Sequence, residues 1–241
     1  MSSTITTSTI SNKYQQQCRW HAYTTTSSLE HAAAQTIFNA SQLAISQRGR
    51  FNIALAGGTT PRHVYELLST TTTDWGKWQV YFGDERCLPA DHPERNSRMA
   101  AGAWLNHVSI PASQIHIIPA EQGAEAAARD YAETLSNVDM FDLVILGLGE
   151  DGHTASLFPH HEWGTAPDAP ATLAVYGSPK PPPERVSLSA YRLSQTRQLM
   201  FLATGSAKRQ AIMDWRDGKE IPAASIAPAS GVDVYLEDAL L

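Results

Sequence analysis

At 241 residues the chain has the length of one large α/β domain, and its 42% apolar content can bury one sizeable core. A net charge of −6 and an isoelectric point near 5.8 exclude the basic surface that nucleic acid requires, yet leave room for a small phosphorylated ligand held by a few local cations. Cys18 and Cys87 are too few for a disulfide scaffold and lack metal-site spacing, which points to a reducing, cytoplasmic setting.

Residues 1–17 are rich in Ser, Thr and Gln, with neither the basic start and apolar stretch of a secretory signal nor the arginines of a transit peptide. They read as a flexible tail, leaving residues 18–241 as a single domain. No apolar run approaches the roughly 18 residues of a membrane span, so no membrane partner is expected.

Ser27 with Glu30 reads as a capping box, followed by Ala33, Ile37, Ala40 and Ala44 on one helical face, with Gly49 as the stop. FNIALA (51–56) reads as a buried strand ending in Gly57-Gly58-Thr59-Thr60. Pro61 suits a first helical position, and Val64, Leu67 and Leu68 form the next apolar stripe. WQVYF (78–82) is a second strand, running into Gly83-Asp84-Glu85-Arg86, and IHII (115–118) a short third. Ala124, Ala127, Tyr131 and Leu135 mark a helix. FDLVIL (141–146) is the strongest core strand, and it runs into Gly147-Leu148-Gly149-Glu150-Asp151-Gly152-His153. LMFLA (199–203) leads into Thr204–Lys208 and a helix to about Trp215, and VDVYL (232–236) is a last strand. The Pro-rich residues 159–183 interrupt this rhythm as a surface excursion, with a short hairpin around Ala174 and Val186. The alternation predicts an α/β fold, Rossmann-like, with a mostly parallel sheet and helices on both faces.

In open parallel sheets, ligands bind beyond the carboxyl ends of the strands. Four strand ends here carry glycine with hydroxyl, acidic, basic or imidazole groups, and their convergence points to a ligand site. The Gly57–Pro61 turn opens a helix, whose free N–H groups suit a phosphate; Thr60 acting as an ordinary N-cap fits that turn equally well. The turn lacks the GK[ST] ending of a Walker loop and the GxGxxG spacing of a dinucleotide fingerprint. Glu150 and Asp151 beside Gly152 would repel a pyrophosphate, so no nucleotide cofactor is expected. His153, after a buried strand and a glycine turn with Asp151 two residues away, suits a general base oriented by a carboxylate, although a lone histidine is more often a surface or core group. His160 and His161 do not complete a zinc-site spacing with it, so no metal is expected. Arg86, Arg185 and Lys208 are candidate anion ligands; Lys208 sits in a first helical turn, where a cation is unfavourable until an anion binds.

The segments LAGGTTPRHVYELL, VYFGDERCLPADHPERNS, FDLVILGLGEDGHTASLFP, KPPPERVSLS and LATGSAKRQAI strongly resemble the 6-phosphogluconolactonase family, in family order and over almost all of the chain from about Trp20. The resemblance implies hydrolysis of 6-phosphogluconolactone in the pentose phosphate pathway, with this sugar phosphate lactone as partner; a monomer or small homo-oligomer is expected. It implies that Gly58, Thr59, Arg185 and Lys208 lie near the phosphate, that Asp84 and Arg86 line the sugar site, and that His153 is the base. The related glucosamine-6-phosphate deaminases are the alternative enzyme reading. They resemble this chain less, carrying Glu where Phe158 stands and usually Tyr where Arg86 stands. A non-catalytic sugar-phosphate sensor is a third reading, disfavoured by the intact histidine and by a length that leaves no room for an appended domain. No serine nucleophile is expected: a GxSxG elbow is absent, and Ser156 follows the histidine turn.

Overall fold

The computed structural model of the chain describes residues 16–241. Of the expected tail, residues 1–15 lie outside the described residues. Gln16 is fastened into the fold: its side-chain amide donates to the carbonyls of Ala223 and Ile226, and its Oε1 accepts from the Trp215 indole at 2.6 Å.

The buried runs form the centre of a six-stranded sheet. β1 (Cys18–Tyr23), β2 (Phe51–Leu55), β3 (Trp78–Phe82), β5 (Leu143–Gly147), β8 (Leu199–Ala203) and β9 (Val232–Glu237) lie in the order β1-β9-β8-β5-β2-β3, each neighbouring pair parallel. All residues of β2 and β8 are buried. Successive strand side chains point to opposite faces, so both faces of the sheet are covered, as parallel sheets require. The helices are α1 (Thr26–Arg48), α2 (Thr59–Leu68), α3 (Asn96–Ala103), α4 (Ala124–Leu135), α5 (Ala190–Ser194) and α6 (Arg209–Arg216).

From β2 the chain steps out to the β3 edge; from β5 it steps the other way, through β8 to β9. The strand order therefore reverses between β2 and β5, which leaves a crevice beyond their carboxyl ends. A second, antiparallel sheet closes one side of it: β4 (Asp84–Arg86), β7 (Arg185–Leu188) and β6 (Thr172–Val175), in the order β4-β7-β6. Ala174 pairs with Val186, as the expected hairpin requires. Gly83 joins the two sheets, its N–H donating to Leu55 O and its C=O accepting from Leu188 N.

Four sequence expectations change. Thr25, not Ser27, caps α1 and forms its capping box with Ser28; the Glu30 carboxylate instead meets His63 at 2.8 Å. Pro61 is the third residue of α2, because that helix already starts at Thr59. Residues 115–118 form no strand: after one bridge from Ile115 to Val80 the chain leaves the sheet edge towards Pro119 and a short 3₁₀ turn. The Asp84–Arg86 segment, expected as a loop, is itself a strand.

Glu85 fixes this strand to α3. It is fully buried, and its two oxygens accept from the backbone N–H groups of Arg86, Asn96 and Ser97 and from the Ser97 hydroxyl, at 2.7–2.9 Å. A carboxylate at a helix N-terminus satisfies free amides and complements the helix dipole. Arg95, 1% exposed, stands 3.4 Å away. Glu85→Ala should therefore lower unfolding free energy by about 3–5 kcal/mol in urea titrations, since it leaves buried donors and a buried cation short of a partner.

Candidate active site

The crevice is a cavity of about 270 Å³ lined by the ends of four strands: Gly57 and Gly58 after β2, Asp84 and Arg86 of β4 beyond β3, Gly147 to Gly149 and His153 at the end of β5, and Lys208 after β8. Asn96, Thr154, Lys180 and Arg185 complete the polar lining. Two glycines there are steric necessities. A Cβ at Gly57 would come within 2.0 Å of the Asn96 side-chain oxygen, and one at Gly149 within 2.0 Å of His153 Nδ1.

His153 is held on three sides. Nδ1 meets the Asp151 carboxylate at 2.5 Å, the same oxygen accepts from the His153 backbone N–H at 3.2 Å, and the imidazole packs on the Phe158 ring with centroids 4.8 Å apart. A carboxylate on Nδ1 fixes the tautomer that leaves Nε2 as the acceptor. The imidazole is held below its ordinary value of 6.5 by burial; Asp151 works against this, and Lys180 adds to it. Asp151 meets some desolvation, but its bond to His153 holds the carboxyl below the usual range. An imidazole oriented in this way, with burial favouring its neutral form, is suited to act as a general base.

Four cations face the cavity: Arg86, Lys180, Arg185 and Lys208. None of them forms an ion pair with a carboxylate of the described residues, whereas Arg19, Arg48, Arg62, Arg95, Arg129, Arg197 and Lys219 all do. Arg86 and Arg185 are directly opposed in the β4–β7 register, an arrangement of like charges that disfavours the pairing unless an anion sits between them. Arg185 is only 5% exposed. Its guanidinium donates to the carbonyls of Lys180, Pro181 and Pro182 and lies over the Phe158 ring, 5.5 Å from the centroid. Burial lowers the pKa of both Arg185 and Lys208. A buried Arg185 beside the half-buried Arg86 and Lys208, none of them in an ion pair, suits an anion site.

Asp84, 5% exposed, accepts from Asn96 Nδ2 at 2.9 Å and from the Ser156 hydroxyl at 2.6 Å. Ser156 is thus committed to a carboxylate acceptor. Gly58, with φ +108°, is the N-cap of α2 and supplies no side chain, so no side chain caps this helix. Thr60 instead bonds Thr204 through the two hydroxyls at 2.6 Å, tying the loop after β2 to the loop after β8.

The structure thus brings Gly57, Gly58, Asp84, Arg86, His153, Arg185 and Lys208 to one cavity. Asp151 stands behind the imidazole; Thr59 and Thr60 lie in the first turn of α2, outside the lining. Sequence reading missed Asn96 and Lys180. Asn96 carries no local signal, but Lys180, in a proline-rich stretch ahead of Arg185, could have been found by following the cations. Among the described residues, no cluster of three or more His, Cys, Asp or Glu side chains is placed to hold a metal ion.

Two measurements test this geometry. Gly149→Ala should displace the imidazole and lower kcat about 100-fold while far-UV circular dichroism stays unchanged, because small misplacements of a base are expensive. The acid limb of kcat/KM should have its midpoint below 6.5, with activity present above that pH and lost as His153 protonates below it. A midpoint at or above 6.5 would assign the limb to another group.

Comparison with known proteins agrees with the geometry. A family model described as "Glucosamine-6-phosphate isomerases/6-phosphogluconolactonase" matches residues 24–235. A 6-phosphogluconolactonase of Synechocystis sp. is 38% identical over 208 residues, covering 81% of this chain and 85% of its own length. One of Mycobacterium leprae is 35% identical over 223 residues, covering 87% and 88%. The solved structure of 6-phosphogluconolactonase from Trypanosoma brucei superposes with a TM-score of 0.84 at 26% identity, over 93% of this chain and 98% of that one. With a sheet, a cavity and a family match that span the same residues, the chain belongs to the glucosamine-6-phosphate isomerase/6-phosphogluconolactonase family.

Proposed function

We propose that this chain hydrolyses 6-phospho-D-glucono-1,5-lactone to 6-phosphogluconate, the lactonase step of the oxidative pentose phosphate pathway. The observation that carries the reading is a His153 oriented by Asp151 and biased by burial towards its neutral form, in the same cavity as four cations without ion-pair partners. The phosphate binds at the α2 N-terminus with Arg185 and Lys208, remote from the bond that breaks. Such anchoring positions the lactone carbonyl for attack. His153 takes a proton from water as its oxygen attacks C1, and Arg86 offsets the charge that develops on the carbonyl oxygen. The tetrahedral intermediate collapses, the bond from C1 to the ring oxygen breaks, and that oxygen takes the proton from the imidazolium. The product is an open-chain acid.

The deaminase reading needs a carboxylate five residues after the histidine. Phe158 occupies that position, fully buried against the imidazole, and cannot relay a proton. Cys18 and Cys87 are unpaired, which fits a cytoplasmic placement. A relative in Oryza sativa subsp. indica named "Probable 6-phosphogluconolactonase 3, chloroplastic" marks the plastid as the competing compartment. No helix among the described residues is long and apolar enough to cross a membrane.

The test is hydrolysis of freshly generated lactone, coupled to 6-phosphogluconate dehydrogenase and corrected for the spontaneous rate. His153→Ala should lower kcat by about 10²–10⁴-fold with a smaller change in KM. Glucosamine 6-phosphate should release no ammonia. A folded wild-type protein that fails to accelerate hydrolysis would sink the reading.

A further inference from the structure

Lys180 stands apart from the other cavity cations in where it is carried and how it is held. It lies on the loop 176–184 that links β6 to β7, away from the ends of the parallel strands. Its backbone is fixed at both polar groups. The N–H donates to the Ser178 hydroxyl at 3.3 Å, and the C=O accepts from that hydroxyl at 2.7 Å and from Arg185 Nη2 at 3.0 Å. The ammonium meets no carboxylate of the described residues. The residue is exposed, yet it lines the cavity together with Arg185 and Lys208.

A lysine whose main chain is clamped at two points, while its charge is left without a partner, is organised to present that charge. Burial is the main cause that lowers the pKa of Lys208, and the neighbouring charge of Lys180 adds to it, so the two ammonium groups lie close enough to repel one another. A shared anion would turn that repulsion into joint binding. Arg185 is the mechanical link: the guanidinium that lines the cavity is the one that holds the Lys180 carbonyl.

From this arrangement the geometry points to Lys180 as a further substrate-binding residue, one that contacts the same anionic group of the substrate as Lys208 and brings it against the β6–β7 loop. The assignment rests on the lactonase reading only for the identity of the anion, the 6-phosphate. The phosphate then spans the cavity from the α2 N-terminus and Lys208 on the parallel sheet to Lys180 and Arg185 on the antiparallel one.

The experiment compares wild type, Lys180→Ala and Lys180→Arg in two assays. One is calorimetric binding of 6-phosphogluconate and of inorganic phosphate; the other is lactone hydrolysis at several ionic strengths. Losing one charge-assisted contact should weaken 6-phosphogluconate binding and raise KM by roughly tenfold to a hundredfold. The same loss should weaken inorganic phosphate, leave kcat within about threefold, and flatten the salt dependence of kcat/KM. Lys180→Arg should recover most of the binding, which a purely structural role of the side chain would not predict. Binding of both ligands within twofold of wild type in Lys180→Ala would overturn the assignment. So would a fall in kcat with phosphate binding unchanged. A wild type that binds 6-phosphogluconate but hydrolyses no lactone would count against the lactonase reading alone, because the binding arm still decides Lys180.

Discussion

Two arginines opposed across one pair of short strands set the conditions that the rest of the site must meet. Arg86 and Arg185 are neighbours in the β4–β7 register, and like charges directly opposite weaken an antiparallel pair. The fold offsets this from below with acids built into the same three-residue strand. Glu85 is spent on α3 and on Arg95, so it acts as a structural pin. Asp84 is held by Asn96 and Ser156, and its charge raises both the buried Arg185 guanidinium and the His153 imidazole against the desolvation that lowers them. The compensation is partial, since both groups remain below their ordinary values. An anion placed between these cations would complete it.

The base is set by the same opposition of terms. Burial lowers the imidazole pKa, the Asp151 carboxylate raises it, and Lys180 lowers it again. Burial favours the neutral imidazole, and the Asp151 carboxylate orients it while favouring the protonated form. Gly149 then decides where the ring can stand, because only a residue without Cβ leaves room for Nδ1. The position of the imidazole thus depends on the missing side chain at Gly149 as much as on the Asp151 carboxylate.

The main sheet was legible because β5 and β8 are continuous apolar runs and β2, β3 and β9 are apolar but for Asn52, Gln79, Asp233 and Glu237, close to the pattern that burial on both faces imposes. β1 was not: it lies at the sheet edge, and its CRWHAY carries Arg19 and His21 to meet Asp233 of β9. α3 was invisible for a different reason. Its cap is Glu85, eleven residues before Asn96, and local capping rules look only one turn back. The N-terminus of α1 was misplaced because Ser27 and Thr25 both suit a cap; Thr25 forms the box with Ser28, while Glu30 meets His63. Within the site, residues at strand ends were readable, since the glycine turns mark them. Asn96 and Lys180 reach the cavity from outside the parallel sheet, so no strand pattern pointed to them.

Phe158 shows how an apolar side chain can carry part of a polar site. Its ring is 4.8 Å from the His153 ring and 5.5 Å from the Arg185 guanidinium carbon, so one fully buried residue sets the separation of base and cation. It gives the arginine a face to stack on and the imidazole a dry wall, and each interaction is electrostatically stronger for the absence of water. A carboxylate at the same position would pair with Arg185 and hydrogen-bond to the imidazole, withdrawing both from the substrate and adding a proton carrier beside the base. With a ring in this place, Arg185 and the imidazole meet no competing carboxylate at that wall of the cavity.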